Sequence, residues 1–470
     1  MTGGSNNDGV LASSFRDPSG FLFFENDTLY RQVNKVYQQD YDLLTSSGLF
    51  QKLVDDGLLI PHQEVELERA NSNDTYRIIQ PDMVNYISYP YEWCFSQLKD
   101  AALTTLQIQK TALEFGMSLK DASAYNIQFI GSRPLLIDSL SFERYQEGKP
   151  WVAYRQFCQH FLAPLALMSC CDVRLNQLLQ TNIDGIPLDM ASCLLPKRSR
   201  LKFSLFTHIH LHARSQKRYA NVASSQAESK GKTAKVSKLG FRALIESLES
   251  AVKKLHWKAA DTEWGNYYAA TNYADAAMEH KKKLVDEFVA VISPAPTRIQ
   301  DLGANTGVFS QIAARHCDTV ISQDIDPSAV EQNYRRCIDS DEKGILPLQL
   351  DLTTPSPGIG WANAERAAFM DRAAADTVMA LALIHHLAIS NNLPLPKIAD
   401  FFRQLSAYLI IEFVPKSDSQ VKRLLATRED IFPEYTQHGF EAAFTRCFAI
   451  VKQAQIEGSD RVLYLLRRSN

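Results

Sequence analysis

Two kinds of hydrophobic pattern divide the chain. From Phe21 to about Leu195, aliphatic and aromatic residues are dense and often recur at helical spacing, as in the run from Leu103 to Phe115. From Ile292 onward, short apolar runs alternate with turns and amphipathic segments, which predicts strand, turn and helix in repeated order. This repetition is typical of an α/β sheet. The sequence therefore predicts two folded domains of different architecture.

The segment between the two patterns is basic. Between Lys197 and Arg242, twelve Lys or Arg residues face a single acid, Glu228. The stretch 220–238 is also low in apolar residues, which predicts a disordered linker. The first residues are small and polar and predict a disordered start. We therefore expect a disordered start over 1–18, an N-terminal domain over 19–196, a basic linker over 197–240, and a C-terminal domain with lead-in helices over 241–470.

A glycine loop follows the first strand of the C-terminal domain. The strand ends at Asp301, and a helix is expected to begin after the loop that contains Gly303, Ala304, Asn305 and Gly307. Glycine is expected here because the backbone turns sharply and comes close to a ligand, where a Cβ atom would collide with it. A glycine loop alone has a second explanation, since tight turns use the same residues for structural reasons.

Acids follow the second strand, which ends in Asp324, Ile325 and Asp326 ahead of Pro327. A carboxylate at the end of this strand can accept hydrogen bonds from both ribose hydroxyls of a nucleoside. We expect Asp324 to take that role and Ile325 to lie beside it. Asp326 is the alternative ribose ligand, although a residue before Pro327 is better suited to cap the next helix.

The third strand, 345–350, leads to Asp351 and Leu352. Asp351 has two interpretations that stay open: contact with an adenine amine, or a turn acid before Pro355.

Polar side chains also follow the fourth and fifth strands. The apolar run 375–384 predicts a strand covered on both faces and is followed by His385 and His386. The run 407–413 places Glu412 at the same edge. Ligands bind at the carboxyl ends of strands in open α/β sheets, so these three side chains are candidates for acceptor contact or proton removal. For each histidine, the alternative is a hydrogen-bonded structural group.

Together, the glycine loop and the acids after strands two and three resemble class I S-adenosylmethionine (SAM)-dependent methyltransferases. The resemblance implies a Rossmann-like sheet that two antiparallel strands close, at 444–451 and 461–466. It also implies SAM as the cofactor and Asp301, Gly303, Ala304, Asn305, Gly307, Asp324, Ile325, Asp351 and Leu352 as its binding residues, with no metal. The aromatic segments 262–268 and 272–273, followed by the lysines 281–283, resemble lead-in helices that cap this cofactor, and packing is the alternative for the aromatic residues.

One segment of the N-terminal domain is similar to protein kinases and aminoglycoside-type phosphotransferases. It contains Asp121, Asn126 five residues later, and Asp138 after an apolar strand. The similarity is partial, since Lys120 replaces the usual His or Arg and no glycine-rich phosphate loop precedes it. It implies an α+β domain with a degenerate kinase-like segment that binds a ligand or partner. Phosphotransfer and an ordinary helical scaffold are the alternatives.

Motifs along the whole chain carry a wider resemblance. The chain is identified as a member of the bacterial two-domain, nodulation-protein-like methyltransferase family on the segments SYPYEW (88–93), LKDASAYN (119–126), IDSLSFERY (137–145) and PWVAYRQF (150–157). This resemblance implies that both domains work as one unit and leaves the methyl acceptor open.

Charge and composition narrow the range of possible functions. A net charge of −3 gives no overall attraction to nucleic acid, and the eight cysteines lack the spacing of a zinc site. We expect a cytoplasmic enzyme, without membrane association, that methylates a small molecule or carbohydrate. An RNA methyltransferase that uses the basic linker is the alternative. The sequence does not define the oligomeric state.

Overall fold

The computed structural model describes residues 9–66, 73–214, 235–258, 275–426 and 428–469. Contacts divide the chain into two compact units. The N-terminal unit comprises Met1–Phe129, Arg133–Lys258 and Gly358–Ala367, and the C-terminal unit comprises Ile130–Ser132, Ala259–Pro357 and Ala368–Asn470. Within the described residues, no helix is both long enough and apolar enough to cross a bilayer.

The N-terminal unit combines an antiparallel sheet with many short helices. Its five-stranded sheet has the order β1-β2-β3-β5-β4, and two strand pairs, β6-β9 and β7-β8, lie apart from it. The strands are β1 Gly9–Val10, β2 Gly20–Glu25, β3 Thr28–Asn34, β4 His62–Val65, β5 Thr75–Pro81, β6 Met117–Leu119, β7 Ile127–Ile130, β8 Arg133–Leu136 and β9 Phe142–Arg144. This unit is therefore α+β, as predicted, and the alternative of a helical scaffold is wrong.

The longest helix of this unit, α3, follows the predicted helical spacing. It buries Leu98, Ala102, Leu106 and Leu113 along its length, so one side of the helix is packed in the core. The helices are α1 Gln38–Ser46, α2 Leu49–Asp55, α3 Phe95–Glu114, α4 Tyr154–Phe157, α5 Ala163–Cys170, α6 Leu178–Thr181, α7 Leu188–Leu194, α8 Phe203–Leu205 and α9 Lys238–Lys253.

The described part of the expected disordered start is folded. Gly9 pairs with Phe24 across β1 and β2, and the Arg16 guanidinium forms an ion pair with the buried carboxylate of Glu365. Residues 1–8 lie outside the described residues.

The basic segment is not a linker over its first part. Residues 197–214 form consecutive short helices in which Leu205, Ile209 and Ala213, four residues apart, are buried. Helix α9 contacts α3, so it belongs to the N-terminal unit rather than to the C-terminal domain where we expected it. The composition of the whole segment hid this helical period: Lys202 and Arg214 flank the run, whereas the residues between Leu205 and Ala213 are Phe, Thr, His, Ile and Leu. Residues 215–234 lie outside the described residues.

The C-terminal unit has one seven-stranded sheet of order β12-β11-β10-β13-β14-β16-β15. The first five strands in this order are parallel, and β16 runs antiparallel to both β14 and β15. The strands are β10 Arg298–Leu302, β11 Thr319–Asp324, β12 Ile345–Gln349, β13 Ala375–Ala380, β14 Ser406–Phe413, β15 Phe448–Gln455 and β16 Val462–Arg468. This order confirms the predicted Rossmann-like class I methyltransferase sheet.

Helices cover both faces of this sheet. Val378 and Ala380 join one core cluster and Met379 joins the other, because successive side chains of a strand point to opposite faces. The helices are α10 Asp275–Ala290, α11 Val308–Ala313, α12 Pro327–Asp339, α13 Phe369–Arg372, α14 Leu395–Leu405, α15 Ser419–Leu425 and α16 Gln437–Phe444. Strand β13 ends at Ala380, four residues earlier than predicted, because the chain turns at Ala382, whose φ is 50°.

Acid is expected to destabilise the N-terminal unit through His160. This side chain is 2 % exposed, and burial lowers its pKa to about 3, whereas an unfolded histidine titrates near 6.5. The unfolded state therefore binds the proton first, and stability is lost as the pH falls from 6.5 toward 3. We expect the free energy of unfolding to fall by about 2 kcal/mol between pH 7 and pH 5, as measured by denaturant unfolding. His160→Phe should lack this component, and an equal acid sensitivity in that variant would contradict the assignment.

Candidate cofactor site

The loop after β10 is shaped by left-handed backbone. Gly303 has a φ of 75° and Asn305 a φ of 51°, and the amides of Gly303 and Ala304 both donate to the Gln323 carbonyl, at 2.8 and 3.0 Å. A Cβ atom at Gly303 would lie 3.2 Å from the Leu383 side chain. The conformation thus favours glycine at this position.

Gly307 is required for a different reason than the sequence suggested. Its φ is 76°, and a Cβ atom there would lie 2.4 Å from Oδ1 of Asn333. Asn333 is buried and donates through Nδ2 to the Ser322 hydroxyl at 2.8 Å. Packing against α12, and not approach of a ligand, therefore explains this glycine.

Asp324 lies at the end of β11 and faces the glycine loop. Its Oδ2 accepts from the Asn305 amide at 2.8 Å, and its Oδ1 accepts from the Asp326 amide at 2.9 Å. Burial raises the pKa of Asp324 to about 6. Asp326 caps α12 by accepting from the Ser328 amide at 2.8 Å, which confirms that interpretation of Asp326.

Asp351 is a turn acid, as one of its two interpretations predicted, and contact with an adenine amine stays a prediction. Its Oδ1 accepts from the amide and the hydroxyl of Thr353, at 2.8 and 2.6 Å, so it stabilises a turn. It also lines the same cavity as Asp324.

This cavity has a volume of about 340 Å³ and lies at the carboxyl edge of β10, β11, β12 and β13. Strand order reverses between β10 and β13, which is where open α/β sheets bind ligands. The volume is within the range of about 300–1,000 Å³ typical of small-molecule sites. Of the nine residues predicted to bind the cofactor, Gly307 does not line this cavity. The other eight do: Asp301, Gly303, Ala304, Asn305, Asp324, Ile325, Asp351 and Leu352.

Asp301 is the most deeply buried acid of the cavity wall. Its Oδ2 accepts from the Ser310 hydroxyl at 2.6 Å, and it is 1 % exposed. Burial raises the pKa of this carboxyl to about 7. Ser310 is also 2.8 Å from the Ser322 hydroxyl, so a polar chain runs from Asn333 to the cavity wall.

Lys281 is a cavity residue that the sequence indicated only as one of three lysines after the lead-in segments, and not as a site residue. It lies on α10, is 3 % exposed, and its Nζ is 4.6 Å from the centre of the Phe309 ring. Burial lowers its pKa. The helical spacing of the buried residues Ala277, Lys281 and Val285 is the signal that distinguishes it from its basic neighbours.

Glu412 lies outside the cavity. It is fully buried, with Lys281 Nζ 2.5 Å from Oε2 and Arg461 Nη1 3.2 Å from Oε1. Arg461 also donates through Nε to Asp418 at 2.8 Å. Glu412 thus holds two cations in place behind the cavity wall.

The two histidines differ in position. His386 lines the cavity, and burial lowers its pKa to about 4, so its imidazole is neutral at neutral pH. His385 is fully buried outside the cavity, with its ring centre 4.1 Å from that of His386. Neither follows β13 directly, since a turn separates them from Ala380.

A relative from Rhizobium meliloti (strain 1021), nodulation protein NoeA, is 38% identical over 466 residues, which cover 98% of this chain and 96% of the relative. The chain belongs to the NoeA family of nodulation proteins. No protein-family model matches the sequence.

Two solved methyltransferase structures overlap part of this NoeA-family chain. The N-methyltransferase NodS from Bradyrhizobium japonicum WM9, in complex with S-adenosyl-L-homocysteine (SAH), is 13% identical and covers 44% of this chain and 100% of its own, with a TM-score of 0.32. Magnesium protoporphyrin IX methyltransferase ChlM from Synechocystis PCC 6803, with bound SAH, is 17% identical and covers 43% of this chain and 92% of its own, with a TM-score of 0.30. At these scores neither overlap supports an argument, and the fold assignment rests on the strand order.

The kinase-like segment of this NoeA-family chain forms a polar cluster. Oδ1 of Asp138 pairs with Arg31 Nη1 at 2.7 Å, and its Oδ2 accepts from the Ser141 hydroxyl at 2.8 Å. Asn126 donates to the same hydroxyl at 3.2 Å. Burial and the nearby Asp138 raise the pKa of Asp121. Arg31 therefore neutralises Asp138, the acid that follows the apolar strand of the kinase-like segment.

The predicted aromatic lead-in segments, 262–268 and 272–273, lie outside the described residues. Among the residues that are described, no group of three His, Cys, Asp or Glu side chains is arranged to hold a metal ion.

Proposed function

We propose that the C-terminal unit binds SAM in the cavity at the carboxyl edge of its sheet and transfers the methyl group to a small-molecule or carbohydrate acceptor. One observation carries this proposal. The glycine loop and the acids that follow β11 and β12 line a single cavity at the point where strand order reverses.

The chemistry of the lining residues fits SAM. The Asp324 carboxylate keeps acceptor capacity for a ribose diol beyond its two amide bonds, and Asp351 is suited to accept from an adenine amine. The amino-acid end of SAM carries both signs of charge. Lys281 and Asp301, which both line the cavity, provide an amine and a carboxyl group suited to that end.

Bound SAM supplies an electrophilic methyl group, and an in-line displacement needs mainly alignment and exclusion of water. The residues of this chain therefore act by positioning. His386 is the one predicted catalytic residue that lines the cavity, and its neutral imidazole can accept a hydrogen bond or a proton from the acceptor.

The rest of the cavity wall supports a small acceptor with polar groups. Leu387 and Leu424 provide apolar contact, and Ser390 and Asn391 provide a hydroxyl and an amide. This mixture is typical of sites that fix orientation with a few polar groups on an apolar wall.

Asp324→Asn is expected to weaken SAH binding about 100-fold, because it removes the charge that strengthens the hydrogen bonds to the ribose. Isothermal titration calorimetry with SAH measures this effect. Asp339→Asn is the matched control, since Asp339 is an exposed acid on α12 of the same unit. Equal affinity in the two variants, with both folded by circular dichroism, would overturn the proposal.

His386→Ala is expected to lower kcat for methyl transfer about 100-fold or more, because an aligned proton acceptor is lost. Transfer of labelled methyl groups from SAM, measured on the acceptor found by screening small molecules and carbohydrates, tests this. His386 is neutral above a pH of about 4, so wild-type kcat should show no acidic decline from this group between pH 5.5 and 8. An unchanged kcat in the variant would leave His386 with a structural role only.

A further inference from the structure

Five large apolar side chains are exposed on a small set of helices in the N-terminal unit. Leu201 is 89% exposed and Phe203 is 78% exposed, and Met190, Leu194 and Leu211 are exposed to lesser extents. They lie on α7, on the 3₁₀ segment Lys197–Leu201, on α8, and on the π-helical segment Phe206–Leu211. These elements contact one another, so the five side chains belong to one region of the surface. We name it the 190–211 surface.

Cations alternate with these apolar side chains. Lys197, Arg198, Arg200 and Lys202 are all exposed, and the sequence has no acid between Asp189 and Glu228. In the part of the chain that the structure describes, none of the four forms an ion pair with a carboxylate, and Lys202 Nζ lies 4.0 Å from the Cys170 sulfur. The surface therefore combines exposed hydrocarbon with uncompensated positive charge.

The helices beneath this surface are fixed to one another. His210 is buried, with Nδ1 2.7 Å from the Ser192 hydroxyl and Nε2 2.9 Å from the Ser199 hydroxyl. It thereby links α7 to the 3₁₀ segment. Leu205 and Ile209 of the same helices are buried. Leu201 and Phe203 are therefore exposed on helices that are themselves packed in the unit.

We infer that the 190–211 surface docks on an anionic lipid bilayer, contrary to the expectation from the sequence of no membrane association. Lys and Arg attract the negative headgroups, and neighbouring Leu and Phe side chains insert at the boundary with the acyl chains. Single exposed apolar residues are ordinary on protein surfaces, but two that are more than three-quarters exposed within three residues, flanked by four unpaired cations, are typical of a membrane-binding face.

Nucleic acid fits this surface less well. Proteins that bind single strands place aromatic rings among their cations so that bases can stack on them. Here four of the five exposed apolar side chains are aliphatic, and Phe203 is the one aromatic ring among them. Aliphatic chains gain most from contact with hydrocarbon, so the lipid surface is favoured.

Co-sedimentation of the full chain with vesicles tests the inference. We expect binding to vesicles that contain phosphatidylcholine and phosphatidylglycerol, and weak binding to phosphatidylcholine alone. Added salt should reduce binding, because it screens the cations. A chain that stays in the supernatant with both kinds of vesicle would overturn the inference.

Two double variants separate the apolar and the charged contributions. Leu201→Ser with Phe203→Ser should weaken binding to anionic vesicles about ten-fold or more, since two inserted side chains are lost. Lys197→Ala with Arg200→Ala should weaken binding about 25-fold, since each lost cation weakens it about five-fold.

The matched control is Val36→Ser with Leu239→Ser, which removes two side chains, 75% and 79% exposed, elsewhere on the same unit. It should bind as wild type does. Equal binding by the control and by the Leu201 and Phe203 variant would contradict the inference. If the cation variant instead lost retention on RNA and kept vesicle binding, the surface would be a nucleic-acid site and the inference would be wrong.

Discussion

Glu412→Ala is expected to lower the free energy of unfolding of the C-terminal unit by about 3–5 kcal/mol, because it leaves buried Lys281 without its counter-charge and removes one of the two acids that pair with Arg461. Lys281 is 3 % exposed and Arg461 is 3 % exposed, and Glu412 contacts both. Asp418 still accepts from Arg461 at 2.8 Å, so the larger part of the loss falls on Lys281. Denaturant unfolding followed by circular dichroism measures the change.

Removing a cation together with the acid provides the control. Lys281→Met combined with Glu412→Gln should recover part of the lost stability, since the buried charge that remains is paired with Asp418. If Glu412→Ala instead kept full stability and lost only methyl transfer, Glu412 would be a catalytic residue, as the sequence suggested, and our structural assignment would be wrong.

Gly307→Ala is expected to destabilise the C-terminal unit by about 2–5 kcal/mol. The left-handed backbone costs an alanine about 1–2 kcal/mol, and the new Cβ atom meets the Asn333 amide at 2.4 Å, which adds an overpacking cost of about 1–3 kcal/mol. Asn333 cannot move easily, because Ser322 and Arg336 hold its amide at 2.8 and 2.5 Å. Thermal and denaturant unfolding both measure the loss.

Two comparisons separate the backbone cost from the clash. Gly116 has a φ of 74° and nothing within 4 Å of an added Cβ atom, so Gly116→Ala should lower the free energy of unfolding only by the backbone cost. In an Asn333→Ala background, Gly307→Ala should also lower the free energy of unfolding only by the backbone cost. A loss at Gly307 no larger than at Gly116 would show that the Asn333 contact does not restrict this position.

The sheet of the C-terminal unit could be predicted because its strands are short apolar runs that end in polar residues. The runs ending at Asp301, Asp324 and Asp351 placed three acids at one edge, since parallel strands bring their carboxyl ends together. Hydrophobic period and turn chemistry are local properties, and the sequence contains them in full.

The roles of Gly307, His385 and Glu412 could not be predicted, because they depend on contacts between distant parts of the chain. Asn333 lies one strand and one helix beyond Gly307, and Arg461 lies 49 residues beyond Glu412. The turn at Ala382 also moves both histidines away from the end of β13. A residue's position in the sequence thus predicts the edge of the sheet that it occupies, but not whether its side chain faces the cavity or the core.

The basic segment shows how composition can hide a helix. The twelve cations between Lys197 and Arg242 predicted a linker, but the apolar residues between them at 205, 209 and 213 fall on one buried side. The helix can be recognised only when the spacing of the apolar residues is considered separately from the charge of the segment.

A crystal structure of the full chain with SAH tests the central claim most directly. The account predicts that the adenosine occupies the cavity of about 340 Å³, with its ribose hydroxyls within hydrogen-bond distance of the Asp324 carboxylate and its adenine beside Asp351. SAH bound elsewhere, or an adenosine whose ribose faces away from Asp324, would contradict it.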